Sequence, residues 1–444
     1  MSFTPVTLPN GKPVNERLTL FVLAGVQFTH TLDFVIVQPL GPKLMEVFDI
    51  TAGQYTRLVA VYGIAAAVTG FLAGFVLDRV NRKSALMTLY CGFCLATFAC
   101  ALAPTYWALM GARFAAGAFG GVAGSVIAAM VGDIIPPERR GRAMAVIAAS
   151  YPLALVLGIP FGLQLANMVA WRAPFFVLAG MGVIVFCVGA KTLPPIRPVA
   201  ITANPWEQVR EICSHRVHVR GFVLSVVLLF AGASVIPLMA PSMQFNAGIS
   251  PNYLFLIYLC GGAVTFITTP VVGRLTDFHD KVNLIGIFCI IAGASVLALT
   301  NLGRVPLWAA LVVAALFLSS MSARFGPTMA LLLNSVEARY RGGFMSVNAA
   351  IQQAAAGLAT MSAGFLVTND PVTHRLEGFW RVGIMSAIFM AGTYWLARRL
   401  KAIAPWASAP GAKAPRVPGP GTLMNRIATG SHGTFEVKPS VDSI

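Results

Sequence analysis

Long runs of apolar residues recur along the whole chain and constrain its fold more than any other feature. Residues 21–40 and 223–243 are two of these runs, and each is long enough to cross about 30 Å of hydrocarbon as a helix. The runs lack the alternation of strands and are too long for the strands of an outer-membrane barrel. Because 57% of the 444 residues are hydrophobic and only 11% are charged, a water-soluble surface cannot be built. The sequence therefore predicts an all-α membrane protein.

Twelve transmembrane helices, numbered here as spans 1 to 12, are predicted from these runs. Their approximate windows are 18–42, 56–77, 84–103, 106–131, 143–166, 172–192, 221–243, 253–275, 283–301, 305–333, 344–367 and 379–400. The predicted organisation is a tail at 1–17, a six-helix bundle at 18–192, a linker at 193–220, a second six-helix bundle at 221–400 and a tail at 401–444. The last segment is rich in Pro, Gly, Ser and Lys, a composition typical of disordered tails.

The distribution of basic residues predicts the orientation of the chain. Of the 32 Lys and Arg residues, 24 fall on the side of both termini and the linker, and six fall on the opposite side. Since basic residues concentrate in cytoplasmic loops, both termini are predicted to be cytoplasmic, in a bacterial inner membrane. The net charge of +16 then needs no nucleic-acid partner. The expected partners are the lipid bilayer, protons and a small-molecule substrate, and the protein is expected to be a monomer.

The two halves of the chain repeat short signals at offsets near 200 residues. The matched segments are 35–42 with 234–241, 74–78 with 273–277, 138–146 with 338–347, and Trp171-Arg172 with Trp380-Arg381. Such a repeat predicts two pseudo-symmetric six-helix bundles related by an axis along the membrane normal. In this arrangement a substrate site lies between the bundles near the middle of the membrane.

The loop GFVLDRVNRKSAL (74–86) resembles the signature between helices 2 and 3 of the major facilitator superfamily. The matching residues are Gly74, Asp78, Arg79, Arg82 and Lys83, whereas Val76 and Asn81 depart from the pattern. The resemblance extends over about residues 18–400. It implies the major facilitator fold and secondary active transport by alternating access.

Physical chemistry suggests how this loop could act as a cytoplasmic gate. Gly74 is expected to let a neighbouring helix approach closely, and Asp78 to accept hydrogen bonds from the N-terminus of a facing helix. With the basic residues that follow, they could latch the two bundles together in one state. The counterpart in the second half consists of Gly273, Arg274 and Asp277. The alternative is that the basic residues serve orientation alone.

Two charged residues lie deep inside predicted spans. Asp33, the only carboxylate well inside any span, lies about 13 Å from the outer end of span 1, and Arg113 lies about 10 Å from the outer end of span 4, at 1.5 Å per residue. Because a charge at this depth must face protein or water, the matched depths predict that the two residues pair.

The residues around this pair also resemble a branch of the superfamily. The segment 113–121, RFAAGAFGG, resembles the fourth-helix motif of proton-coupled members, and 26–42 resembles helix 1 of the twelve-helix drug/proton antiporters. The resemblance implies that Asp33 is a protonation site and that Arg113 is its partner. The alternative is a static ion pair that holds two helices together.

Other polar residues of span 1 are predicted to line the same broad helix face, with Asp33 at its edge. These residues are Gln27, His30, Thr31 and Gln38. His30 is a second candidate for proton coupling, although a histidine in a helix can also be simply hydrogen-bonded. Gln27, Thr31 and Gln38 are candidates for the substrate cavity.

Arg324, in the sequence ARFGP of span 10, has no acidic residue inside the spans of the second half to pair with. Three interpretations remain open from the sequence. Its side chain could bind an anionic or polar substrate, it could bond carbonyl groups freed by Pro327, or it could lie near the cytoplasmic surface.

The segment YPLALVLGIPFG (151–162) resembles a degraded form of the fifth-helix antiporter motif. Gly158, Pro160 and Gly162 match that motif. They are expected to bend span 5 and to allow a tight contact across the interface between the bundles. This form is similar to the sugar-efflux, arabinose-efflux-permease-like branch.

The predicted function is therefore proton-coupled efflux of small organic molecules, such as drugs or sugar-like compounds. The alternative is proton-coupled or facilitated uptake of an organic anion or another metabolite. A membrane enzyme would need paired acids, a histidine cluster or a Ser/Lys dyad at one depth, and the sequence has none. No catalytic residue, cofactor or metal site is predicted, since the cysteines Cys91 and Cys94 lie in an apolar run without a second pair.

Overall fold

The computed structural model describes residues 6–7, 13–76, 80–196, 205–337, 339–370 and 373–409. Six helical spans form the first half: Glu16–Ile36, Ala52–Val76, Arg82–Leu102, Tyr106–Gly120 with Ala123–Ile134, Pro137–Ala148 with Ser150–Leu153 and Ile159–Met168, and Ala173–Thr192. Six more form the second half: Arg216–Ala233 with Ile236–Pro241, Leu254–Phe278, Lys281–Thr300, Leu307–Ser335, Arg341–Leu366 and Phe379–Ile403. These are spans 1 to 12 in chain order.

Shorter elements connect the spans. Single helical turns or short helices occur at Gly41–Phe48, Pro205–Ser214, Pro251–Tyr253 and Pro405–Ala407, and π-helical turns at Ala154–Gly158 and Ser242–Asn246. Two antiparallel strand pairs join Val6–Thr7 to Pro13–Val14 and Thr368–Asn369 to Leu376–Glu377. The fold is therefore all-α apart from these two small hairpins.

The described helices have the dimensions of membrane spans. Ten of them are long and apolar enough to cross a membrane by length and composition. Spans 11 and 12, of 26 and 25 residues, fall outside those ten. Span 11 carries polar side chains such as Asn348 and Gln352, and span 12 has basic residues near both ends. The predicted all-α, multi-pass membrane fold is confirmed.

Several spans are interrupted where continuous windows were predicted. Span 1 ends at Ile36 because Pro39 has no amide hydrogen to continue the helix. Span 5 passes through the π-helical turn Ala154–Gly158 shortly before Pro160, a position of the kind at which helices bend, and the bend itself stays a prediction. Span 7 breaks between Ala233 and Ile236, ahead of Pro237.

The two bundles repeat the same packing. In the first half, span 4 packs against spans 2 and 3, and span 6 packs against spans 1 and 3. In the second half, span 10 packs against spans 8 and 9, and span 12 packs against spans 7 and 9. The contacts between the halves repeat as well, because span 2 lies along span 11 and span 5 lies along span 8.

The segments next to the bundles differ in extent from the predicted boundaries. Span 1 begins at Glu16 with Asn15 as its N-cap, and span 7 begins at Arg216, inside the predicted linker. The linker also contains the helix Pro205–Ser214, whose Glu211 accepts a hydrogen bond from Tyr340 of the second bundle. Both helices begin earlier than predicted, because their first turns are polar and the predicted windows were drawn from apolar residues.

The start of the predicted C-terminal tail is ordered up to residue 409. Span 12 continues to Ile403, and Ala404 and Ala407 are completely buried. Lys401 forms an ion pair with Asp280 (Nζ to Oδ2, 2.7 Å). Partial burial raises the pKa of the Asp280 carboxyl, but the bond to Lys401 and other hydrogen bonds outweigh it, so the pKa lies below its usual value. The prediction of disorder is thus wrong for 401–409, and the remainder, 410–444, lies outside the described residues.

The two faces of the molecule differ in how the bundles meet. We call the face where span 1 begins and span 12 ends the terminal face, and the opposite one the far face. At the far face three hydrogen bonds join the halves: Gln244 Nε2 to Glu46 Oε1 (3.0 Å), Ala52 N to Asn369 Oδ1 (2.6 Å) and Asn167 Nδ2 to Pro251 O (3.1 Å). The halves are therefore closed against each other at this face.

Glycines allow spans 2 and 11 to touch along the part of their length next to the far face. A Cβ atom on Gly63 would lie 3.1 Å from the Gln353 carbonyl oxygen, and one on Gly357 would lie 3.0 Å from that of Ala60. A Cβ atom on Gly364 would overlap the hydroxyl of Thr56. Small residues are what permit such close backbone approach in membranes.

At the terminal face the described ion pairs stay within one bundle. They are Arg82 with Asp133 (3.4 Å), Arg139 with Glu16 (3.0 Å), Lys401 with Asp280 (2.7 Å) and Arg339 with Glu337 (3.1 Å). Cβ atoms on Gly74, Gly273 and Gly342, which lie at this end of spans 2, 8 and 11, would meet no described atom within 4 Å. The conformation is thus closed at the far face and separated at the terminal face.

We expect Gly357→Ala to shift the protein away from this far-face-closed conformation. The added methyl group would overpack the contact between spans 2 and 11, at about 1–3 kcal/mol, which is enough to change the populations severalfold. The measurement is cross-linking by a short bifunctional thiol reagent between Glu46→Cys and Gln244→Cys in a background without the native cysteines.

The matched control is Gly111→Ala, because a Cβ atom at Gly111 of span 4 would meet nothing within 4 Å in the described part of the chain. The control should cross-link as efficiently as the parent protein. Equal cross-linking in Gly357→Ala and in the control would contradict the role of this contact.

Candidate functional site

A buried ion pair connects spans 1 and 4. Arg113 Nη1 lies 2.8 Å from Asp33 Oδ2, and neither side chain is exposed to solvent. The same nitrogen donates to the backbone carbonyl oxygen of Asp33 at 3.1 Å. The pairing predicted from matched depths is therefore present.

The end of span 1 explains why the backbone of Asp33 is free to accept this bond. The last four carbonyl groups of a helix lack intrahelical donors, and span 1 ends at Ile36, three residues beyond Asp33. The following turn is held by Tyr55 of span 2, whose hydroxyl donates to the carbonyl oxygens of Val37 (3.2 Å) and Gln38 (2.9 Å). The interruption of the helix thus creates the second acceptor for Arg113.

Two uncharged residues complete the surroundings of the pair. Thr97 of span 3 donates its hydroxyl to Asp33 Oδ1 at 3.3 Å. The guanidinium of Arg113 stands 4.4 Å from the ring centroid of Tyr62 in span 2, a cation–π contact. Sequence reasoning missed both residues, because a single threonine or tyrosine in an apolar run carries no spacing signal.

His30 lies one helical turn before Asp33 and faces the same region. Its ring is 6.1 Å from that of Tyr62 and 5.8 Å from that of Phe93, between centroids. A Cβ atom on Gly120 would lie only 2.5 Å from His30 Cδ2, so the glycine makes room for the imidazole. Both ring nitrogens lack a hydrogen-bond partner among the described residues. The structure therefore places His30 beside the ion pair as a polar group without a bonded partner.

The substrate-cavity candidates of span 1 separate into two groups. Gln27 and Thr31 lie on one face and are bonded to each other, with Nε2 donating to Oγ1 at 3.2 Å. Gln38 does not share that face, because it lies in the turn beyond the helix end at Ile36. The predicted shared face is thus wrong for Gln38, since Pro39 ends the helix before it.

The cytoplasmic gate motif is described in part, at Gly74, Arg82 and Lys83. Arg82 pairs with Asp133, and Lys83 Nζ donates to the Ala190 carbonyl oxygen at 2.7 Å, so both contact their own bundle. The close packing predicted for Gly74 is absent among the described residues because the bundles are separated at this face. Asp78 and Arg79 lie outside the described residues, and their role stays a prediction.

The counterpart motif in the second half lies at the surface of the terminal face. Arg274 and Asp277 are exposed at the terminal end of span 8, and a Cβ atom on Gly273 would meet no described atom within 4 Å. A latch that joins the halves only in another state would leave its parts exposed in this one.

The fifth-helix motif makes tight contacts within its own bundle. Cβ atoms on Gly158 and Gly162 would lie 2.5 Å from Leu32 Cδ1 and Ile36 Cδ1 of span 1. The predicted contact of these glycines across the bundle interface is therefore wrong, since they face span 1. The interface contact of span 5 is made elsewhere, where Gly262 of span 8 lies against its backbone.

Arg324 lies in the interior of the second bundle. Arg324 lies in the middle of the helix Leu307–Ser335 and is only 3% exposed. A position at the cytoplasmic surface is therefore ruled out. Nη2 contacts Met321 Sδ at 3.0 Å, whereas Nε and Nη1 have no hydrogen-bond partner among the described residues. The predicted bonds to carbonyl groups near Pro327 are thus not formed within the described part of the chain.

Fold, repeat and buried charges together define the class of membrane transporters built from two six-helix bundles. The sequence profile of the Major Facilitator Superfamily matches residues 23–360. The chain belongs to the major facilitator superfamily.

Individual relatives agree with this assignment. An uncharacterized MFS-type transporter of Bacillus subtilis, YceJ, is 26% identical over 82% of this chain and 92% of its own length. A probable sugar efflux transporter of Helicobacter pylori is 24% identical over 56% of this chain and 64% of its own length.

Solved structures share the fold. A bacterial homologue of the human lysosomal transporter Spinster, in an inward-facing and unoccupied conformation, superposes with a TM-score of 0.72 at 16% identity, over 90% of this chain and 98% of that one. A D-xylose–proton symporter superposes with a TM-score of 0.69 at 16% identity, over 90% and 99% of the two chains.

We expect Asp33 and Arg113 to depend on each other for stability. Arg113→Gln should destabilise the protein by about 3–5 kcal/mol, because it leaves a buried carboxylate without its partner. In an Asp33→Asn background the same change should be much less destabilising. The measurement is a double-mutant cycle of unfolding free energies in detergent.

The matched control is the surface pair Arg339–Glu337, whose side chains are 62% and 44% exposed. Its coupling energy should not exceed about 1 kcal/mol. Additive effects at Asp33 and Arg113, within about 0.5 kcal/mol, would show that the buried pair has no special coupling.

Proposed function

We propose that the protein is a proton-coupled exporter of small organic molecules that works by alternating access. The observation that carries this proposal is the completely buried Asp33–Arg113 ion pair, with His30 one turn away, whose imidazole has no hydrogen-bond partner in the part of the chain that the structure describes. Ionisable groups inside membrane spans are costly and typically mark ion or proton pathways. A single membrane-embedded carboxyl group is sufficient to link protonation to a conformational change.

The proposed coupling acts through the contact between spans 1 and 4. Protonation of Asp33 removes its negative charge, so the hydrogen bond from Arg113 loses the attraction between opposite charges and becomes weaker. The two spans can then move relative to each other, and the protonated and ion-paired forms favour different conformations of the bundles. The ring nitrogens of His30 and the hydroxyl of Tyr62 have no hydrogen-bond partner among the described residues. They provide a path by which a proton could reach the carboxyl group.

The proposed direction follows from charge and resemblance. The terminal face carries most of the basic loop residues and is assigned to the cytoplasm by the positive-inside rule, so the described conformation would be open to the cytoplasm. The name of the Helicobacter pylori relatives, probable sugar efflux transporters, supports export. The D-xylose–proton symporter shares the fold and supports proton coupling.

A second candidate is proton-coupled uptake of an organic anion or another metabolite. It is favoured by the buried cation Arg324, and the symporter among the structural neighbours has the opposite direction of coupling. The two candidates differ in the direction of the substrate, which moves opposite to the proton in an exporter and together with the proton in a symporter. In inside-out vesicles with an acidic lumen, an exporter accumulates its substrate, whereas a symporter does not.

We expect Asp33→Asn to abolish accumulation driven by a pH gradient while substrate exchange across the membrane continues. The amide has nearly the shape of the carboxyl group but cannot take up and release the proton. The measurement is accumulation of a library of small organic molecules in inside-out vesicles with an imposed pH gradient, followed by exchange of the accumulated compounds without a gradient.

The control is Asp49→Asn, a matched change at an exposed far-face residue whose left-handed backbone (φ 48°) asparagine also tolerates. Gradient-driven accumulation should be unchanged in this variant. An Asp33→Asn protein that still concentrates a compound would remove the proton role from Asp33.

We expect Asp78→Asn to slow transport without changing the affinity for substrate. A latch acts on the equilibrium between conformations, whereas a residue of the binding site acts on affinity. Transport rate and equilibrium binding should be measured on the same preparation. Weakened binding at an unchanged rate would assign Asp78 to the substrate site instead.

A further inference from the structure

The guanidinium of Arg324 is a buried cation that has no acidic partner among the residues the structure describes. Its only described hydrogen-bond contact, to Met321 Sδ at 3.0 Å, is to a thioether, a weak acceptor. Nε and Nη1 have no acceptor among the described residues. Because arginine stays protonated in proteins, the positive charge must be balanced by something other than the loss of a proton.

The second half of the sequence has no acidic residue that could balance this charge. Between residues 216 and 403 the carboxylates are Asp277, Asp280, Glu337, Asp370 and Glu377. All five lie at the ends of spans or in the loops, and two of them, Asp280 and Glu337, pair with Lys401 and Arg339. Arg324 therefore differs from Arg113, which has a carboxylate in its own bundle.

The position that corresponds to Asp33 in the second half is a glycine next to Arg324. Gly232 of span 7 is 199 residues after Asp33, the same offset that separates Pro42 from Pro241 and Gly74 from Gly273. A Cβ atom on Gly232 would lie 3.3 Å from Arg324 Nη2. The first half thus has an acid beside the arginine of its fourth helix, whereas the corresponding position of the second half, Gly232, carries no side chain.

The neighbourhood of Gly232 offers further polar groups. Span 7 breaks directly after it, between Ala233 and Ile236. Ser234, in that break, is completely buried, and its hydroxyl has no partner in the described part of the molecule. A broken helix at mid-span is the kind of element from which transporters build their binding sites.

We propose that Arg324 binds a carboxylate group of the transported molecule, in the position that Asp33 takes beside Arg113. The guanidinium presents parallel N–H donors that match a carboxylate, and the missing side chain at Gly232 leaves the acceptor position to the ligand. The substrate class is then small organic monocarboxylates. The binding of a carboxylate at Arg324 does not depend on the proposed transport function. Only the statement that the bound molecule is also the transported one rests on that function.

A carboxylate introduced at Gly232 should act as a tethered substitute for this ligand. Gly232→Asp is compared with Gly232→Asn, which has almost the same size but no charge, in full-length protein in neutral phosphatidylcholine nanodiscs. The aspartate variant should unfold about 5 °C or more above the asparagine variant, because its carboxylate pairs with Arg324. In an Arg324→Gln background this difference should vanish.

Binding of free carboxylates is the second measurement. Each probe is paired with its own primary amide: benzoate with benzamide, hexanoate with hexanamide and gluconate with gluconamide. At least one acid should raise the unfolding temperature of the wild type while its amide does not. The difference should be lost in Arg324→Gln and Gly232→Asp and kept in Arg304→Gln, a control at an exposed loop arginine.

The results have distinct meanings for the two proposals. Equal behaviour of acids and amides on the wild type, including no effect of either, would overturn the carboxylate site, as would an unchanged difference in Arg324→Gln. Equal unfolding temperatures of Gly232→Asp and Gly232→Asn would also overturn it. None of these measurements uses a pH gradient, so they stand whether or not Asp33 couples transport to protons.

Discussion

The ion pair between Asp33 and Arg113 is the interaction on which the rest of the structure depends. Two charges without solvent exposure are stable only when each has a bonded partner. The surrounding helices provide this, since Thr97 donates to the second carboxylate oxygen and Tyr62 faces the guanidinium. The early end of span 1, imposed by Pro39, frees the backbone carbonyl that Arg113 also bonds. Charge, helix interruption and packing are thus parts of one arrangement.

The same bundle interface that closes the far face leaves the terminal face separated. Close backbone contact between spans 2 and 11 depends on Gly63, Gly357 and Gly364. Small residues of this kind let two helices of different bundles approach closely. At the other end, the described contacts of Arg82 with Asp133 and of Lys83 with Ala190 lie within the first bundle. The latch role of this motif stays a prediction.

The two halves share an architecture but have diverged in their buried charges. Span 4 and span 10 occupy equivalent places, and both contain the sequence Ala-Arg-Phe. Arg113 is neutralised by Asp33, whereas Arg324 has no acidic neighbour among the residues that the structure describes. A division of labour between a proton-coupling half and a ligand-binding half is consistent with this difference.

The sequence alone determined the class of fold, because the length and apolarity of the runs leave helices as the way to satisfy the backbone in a membrane. It also predicted the pairing of Asp33 with Arg113, since only one acid and few bases lie at depth and buried charges must pair. It could not predict the facing of residues beyond a helix break, so Gln38 was assigned to the wrong face. Nor could it find Thr97, Tyr62 or the closeness of Gly232 to Arg324. These depend on which helices become neighbours and on the rotation of each helix about its axis, and long-range packing decides both.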